Sequence, residues 1–136
     1  MYILDTDISI FTIQGKHSLR EKIVEAKYYN CFLSDITIAE LLVGVENSLF
    51  KEDNLSSTDA FVKKFQPLDI SPVIPSFAKE KVRLKSSGII IADFDILIGV
   101  TAVFYDFTLV TNNEKHFSRI KDIKIENWTK SNPKYL

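Results

Sequence analysis

A chain of 136 residues that is 46% hydrophobic fits one domain, residues 1–136, with a real core, and its single cysteine, Cys31, excludes an internal disulfide and suits a reducing, cytoplasmic setting. The formal net charge of −1 gives no overall basic bias toward nucleic acid. MYILDTD lacks a basic leader region and the longest apolar stretch, Ile96 to Tyr105, falls short of a bilayer, so neither a secretory signal nor a membrane partner is expected.

In chain order, Tyr2 to Leu4 reads as a buried strand ending in Asp5-Thr6-Asp7, followed by a short helix from about Asp7. Lys16 to Tyr29 predicts a charged amphipathic helix and Cys31 to Leu33 a second strand. Ser34 or Asp35 then caps a helix through about Asn47, with Ile38, Leu41, Leu42 and Val45 as its core stripe. Asn54 to Phe65 and Ser71 to Ser87 read as helices, punctuated by Pro67, Pro72, Pro75 and Gly88. Asp93 or a neighbour caps an apolar helix to about Tyr105, Thr108 to Val110 is a strand ending at Thr111, Asn112 and Asn113, and Lys124 to Glu126 is a last short strand. Alternating strands and helices imply an α/β fold with a central, mainly parallel sheet of four to five short strands. In such a fold the functional crevice lies beyond the carboxyl ends of the strands.

Three carboxylates fall beside these apolar runs: Asp5, Glu40 and Asp95. A charge next to apolar surface costs several kcal/mol unless it is paired, hydrogen-bonded or coordinated. Helix capping alone explains one acid of Asp5-Thr6-Asp7 and less readily two. Glu40 points away from its helix's core stripe and Gly44 follows it by one turn; Gly99 follows Asp95 in the same way. A helical glycine costs about 1 kcal/mol, which makes sense where a substrate or another backbone comes close. Carboxylates converging to about 5 Å would repel by roughly 3 kcal/mol per pair at an effective dielectric of about 20, and a divalent cation reverses that sign. Oxygen donors without a histidine or cysteine cluster select Mg²⁺ or Mn²⁺, and His17 and His116 read as ordinary surface histidines. Lys115, Arg119, Lys121, Lys124, Lys130 and Lys134 give the last part of the chain a local basic excess.

With these acids and the TNNEKHF segment in view, the chain resembles the PIN-domain ribonucleases, and among them the VapC-type toxins of prokaryotic toxin–antitoxin modules. The matching pieces run through nearly the whole sequence in the family's order: YILDTDISI, SDITIAELLVGV, GIIIADFDILIGVTA, LVTNNEKHFSRI and IKIENW. The resemblance implies a PIN-like α/β/α sandwich in which Asp5, Glu40 and Asp95 hold a catalytic Mg²⁺ or Mn²⁺, with Thr6, Asp93, Thr111 and Asn113 in support. It also implies RNA as substrate, cleavage leaving a 5′-phosphate, a homodimer, and a cognate antitoxin that wraps the toxin. Tyr28, Tyr29, Phe50 and Phe65 are candidates for that antitoxin surface. Many relatives carry a fourth acid where this chain has Asn113, a departure that weakens the case for a second tightly bound metal. Two other readings stay open on the residues: a haloacid-dehalogenase-type phosphatase, whose opening motif Asp5-Thr6-Asp7 also resembles, and a PIN-like module that binds RNA or protein without catalysis.

Overall fold

A computed structural model describes residues 1–130 of the chain; Lys134 of the basic group lies outside them. Five strands form one sheet in the order β3-β2-β1-β4-β5, and every neighbouring pair is parallel. They are β1 (Tyr2–Leu4), β2 (Cys31–Ser34), β3 (Gln66–Leu68), β4 (Thr108–Val110) and β5 (Lys124–Glu126). Parallel neighbours need long crossovers, and helices α1 (Thr6–Ile13), α2 (Leu19–Ala26), α3 (Asp35–Glu46), α4 (Lys51–Val62), α5 (Ile74–Ser86), α6 (Asp93–Tyr105) and α7 (Glu114–Phe117) supply them.

Strand side chains alternate faces, so the central strands feed two cores. Ile3 and Leu109 join Val73, Leu84, Ile98 and Phe117 on one side, while Leu4 and Val110 join Ile8, Leu19, Ile23 and Phe61 on the other. Cover on both faces is why β1 and β4 read as unbroken apolar runs. The order also places β2 and β3 to one side of β1 and β4 and β5 to the other. A crevice therefore opens at the carboxyl ends of β1 and β4, where the chain reverses direction across the sheet.

Several boundaries depart from the sequence reading. The expected helix Lys16 to Tyr29 is confined to α2 because His17, Ser18 and Lys27 adopt positive φ, and Tyr28–Asn30 form a 3₁₀ turn. Ser71–Val73 are likewise a 3₁₀ turn ahead of α5, and α4 begins at Lys51 and ends at Val62. β3 was hidden by Pro67, which has no amide proton to donate; a proline is tolerated there because β3 is an edge strand paired only with β2. On α3 the buried stripe is Ile36, Thr37, Leu41 and Val45, and Leu42 is 44% exposed instead of packed inside. Of the two possible caps, Ser34 serves: its Oγ accepts the Ile36 amide at 3.1 Å.

The two helical glycines have different reasons. A Cβ on Gly99 would stand 2.3 Å from Ile120 Cδ1, so this glycine admits a neighbouring side chain rather than a substrate. Gly44 faces open space. Gly99→Ala should therefore destabilise by about 1–2 kcal/mol in urea unfolding, since overpacking outweighs the gain in helix propensity. Ile120→Val removes the clashing methyl and should cost less in the Gly99→Ala background than alone. Gly44→Ala, by contrast, should be neutral or stabilising by up to about 1 kcal/mol.

Candidate active site

β1 ends where α1 begins, and Asp5 stands at that junction. Its Oδ1 accepts the Ile8 amide at 2.8 Å, so it caps α1 while only 3% exposed. Capping and site membership are one placement here, because a strand's carboxyl end meets a helix's amino end. Burial pushes the Asp5 carboxyl up to about 7; the Thr111 hydroxyl and Ile8 amide pull it down, and the charges of Asp7 and Asp95 push it up again.

The other acids arrive on helices. Glu40 of α3 accepts the Thr6 hydroxyl at 2.7 Å through Oε1, with the Thr37 hydroxyl 3.3 Å from that of Thr6. Asp95 lies in the first turn of α6, its Oδ2 3.0 Å from His116 Nε2. Asp5, Thr6, Asp7, Glu40, Asp95 and Asn113 line one pocket of about 190 Å³ whose apolar wall is Ile98 and Phe117. Residues from four separated stretches thus meet at the crevice that the sheet order opens. Thr111 is fully buried, and its hydroxyl accepts the Asn113 amide at 2.9 Å, fixing the turn that carries Asn113 to the pocket.

Asp93 does not join this group. It is the first residue of α6, behind an N-cap position held by Ala92 without a side-chain bond, and it pairs with Lys81 of α5. Two positions along a helix differ by roughly 200° in direction, so Asp93 and Asp95 cannot both face the pocket. His116, which reads as an ordinary surface histidine in the sequence, is instead half-buried and bonded to Asp95. It follows Asn113 by three positions on the turn entering α7, a helical spacing that puts both on one side, and that spacing was the available signal.

All the acidic donors are hard oxygens, the chemistry that suits Mg²⁺ or Mn²⁺. Glu40 and Asp95 each have one oxygen engaged by a hydrogen bond, and Asp5 is held by the Ile8 amide and the Thr111 hydroxyl. Among the described residues no three His, Cys, Asp or Glu side chains converge closely enough to coordinate an ion as they stand. The residues fit a divalent ion by donor chemistry and common pocket.

The PIN-domain family model matches residues 2–123. A ribonuclease VapC2 of Rickettsia felis is 36% identical over 133 residues, spanning 96% of this chain and 99% of its own. A tRNA(fMet)-specific endonuclease VapC of Shigella flexneri is 32% identical, spanning 94% and 98%. The crystal structure of VapBC2 from R. felis bound to a DNA fragment from its promoter superposes with a TM-score of 0.86 at 34% identity, over 93% of this chain and 98% of that one. The chain belongs to the PIN-domain family, in its VapC ribonuclease branch. The dehalogenase-type likeness of Asp5-Thr6-Asp7 is thereby superseded.

Asp5 gives the site a measurable cost. A carboxyl near 7 when folded, against its ordinary value of 3.8, keeps its proton while the unfolded chain loses its own, so stability falls as pH rises from about 4 to about 7 and stays low above that. The slope is about 1.4 kcal/mol per pH unit. In chelator, Asp5→Asn should unfold at a higher temperature than the parent at about pH 8, and the gap should close toward about pH 4.

Proposed function

We propose that this chain is a metal-dependent endoribonuclease acting as the toxin of a toxin–antitoxin pair. The observation that carries the reading is the single pocket shared by Asp5, Glu40 and Asp95 at the carboxyl ends of the strands, in a chain whose relatives are named ribonucleases. Asp5, Glu40 and Asp95 would hold Mg²⁺ or Mn²⁺, which when bound supplies acidified water and charge neutralisation at a phosphodiester. Thr6 fixes the Glu40 carboxylate, and the Ile8 amide fixes Asp5. Asn113 lines the pocket with a neutral oxygen in place of a further carboxylate, which favours one ion over two. Hydrolysis forms a bond from water oxygen to phosphorus and breaks the bond to the 3′ oxygen, leaving a 5′-phosphate and a 3′-hydroxyl. Among the described residues Lys124 and Lys130 are paired with Asp106 and Glu114 and Arg119 is bonded to His116, so Lys115 and Lys121 are the basic groups of this segment left to grip an RNA backbone. Initiator tRNA is the first substrate to try, because the S. flexneri relative is named for it.

An antitoxin partner accords with the VapBC complexes among the structural neighbours. Beside the acids, Ile10, Ile13, Leu41, Gly44 and Val45 line a cleft of about 430 Å³ between α1, α3 and α4 that shares Glu40 with the pocket. Tyr29 and Phe50, each 69% exposed, join Leu49 in offering apolar surface, whereas Phe65 is buried against Tyr28 and Phe61 and belongs to the core. Ile74, Val82, Ile90 and Phe94, exposed along α5, α6 and their link, would suit the homodimer that the family implies.

Purified protein should cleave tRNA with Mg²⁺ or Mn²⁺ and stop on chelation. Asp95→Asn should lower the rate more than about 100-fold while melting like the parent. Cleavage that survives either the chelator or this substitution would contradict the assignment.

A further inference from the structure

Arg119 follows His116 by three residues, and the two are bonded twice. Arg119 Nη2 lies 3.0 Å from His116 Nδ1, and Arg119 Nε donates to the His116 carbonyl at 3.3 Å. A guanidinium can only donate, so Nδ1 must accept. The ring's proton then sits on Nε2, which donates a hydrogen bond to Asp95 Oδ2 at 3.0 Å. Both imidazole nitrogens are thereby occupied, which leaves His116 no lone pair for an ion. It also ties down one oxygen of Asp95 and frees Oδ1 for the pocket.

The seating of this segment is independent of those bonds. Phe117, 3% exposed, walls the pocket next to His116, and Ile120 enters the space left by Gly99, one turn beyond Asp95 on the same helix. The stretch that carries the imidazole is therefore packed onto the helix that carries its acceptor.

We infer that Arg119 and His116 form a positioning relay for Asp95: the arginine sets the imidazole tautomer, and the imidazole fixes which carboxylate oxygen is offered to the divalent ion, without itself becoming a ligand. The inference rests on Asp95 being a metal-holding residue, as proposed above. Partners of ligating carboxylates typically govern metal affinity by 10- to 100-fold.

The test is Mn²⁺ binding to the full chain, followed by calorimetry and by pulsed electron paramagnetic resonance of the bound ion. His116→Ala should weaken binding by about 10- to 100-fold, and His116→Gln, whose amide still donates to Asp95, should recover most of it. Arg119→Ala should fall between them, and the resonance of the parent should show no directly coordinated nitrogen. Parent-like affinity in His116→Ala, a loss in His116→Gln as large as in a folded His116→Ala, or a coordinated nitrogen that vanishes with the imidazole would each overturn the relay. If His116→Ala does not fold, the comparison of His116→Gln with Arg119→Ala decides, since an Arg119→Ala chain that binds like the parent sinks it. Mn²⁺ that fails to bind the parent, or binds Asp5→Asn as well as the parent, would instead overturn the active-site reading and the relay with it.

Discussion

A carboxyl held out of water beside other acids is the constraint around which this molecule is arranged. Asp5 is almost wholly buried and feels both Asp7 and Asp95, while Glu40 faces the same small pocket. The chain tolerates this by giving these carboxylates hydrogen-bonding partners from other residues: the Ile8 amide and Thr111 hydroxyl for Asp5, the Thr6 hydroxyl for Glu40 and His116 for Asp95. A hydrogen bond to a charged group contributes about 1.5–3 kcal/mol, enough to offset part of the repulsion and too little to abolish it. What is left over is a group of oxygen donors whose chemistry suits a cation, and the Asp5 carboxyl is raised chiefly by its burial and further by its acidic neighbours.

The sheet is the device that brings those acids together. Because all five strands run the same way, their carboxyl ends form one edge, and the order places β1 and β4 side by side where the crossovers part. β1 hands over Asp5, the turn after β4 hands over Asn113, and α3 and α6 approach from the core with Glu40 and Asp95. The two apolar cores hold these elements in register from both faces, and losing a side chain such as Leu4 or Leu109 would cost about 2–5 kcal/mol in cavity and transfer terms. Precision at the pocket is thus inherited from packing well away from it.

How much of this was legible in the sequence depended on the range of the interaction. Asp5 could be read because a local event, a strand turning into a helix, fixes it, and Ser34 was readable as a cap for the same reason. The pairing of β3 was not readable, since a proline discourages a strand unless it is known to lie at an edge. Leu42 was assigned inward on helical spacing, but whether a helix flank is covered depends on its neighbours, and this flank is open. Asp93 and Asp95 look equivalent as letters, and only the rotation of α6 against the sheet separates the one that meets Lys81 from the one that meets His116. The histidine reads as a surface residue because its significance is a contact across 21 residues of chain, at which its spacing from Asn113 only hints.

The fit of Ile120 into the notch at Gly99 indexes one segment against another. A side chain lodged beside a missing Cβ acts as a detent: sliding the loop after α7 by a single residue would lift the plug from its seat and carry a different side chain opposite Asp95. Loop and helix are for that reason a matched set. A graft of the α7 region would therefore seat best where the recipient helix keeps the same notch.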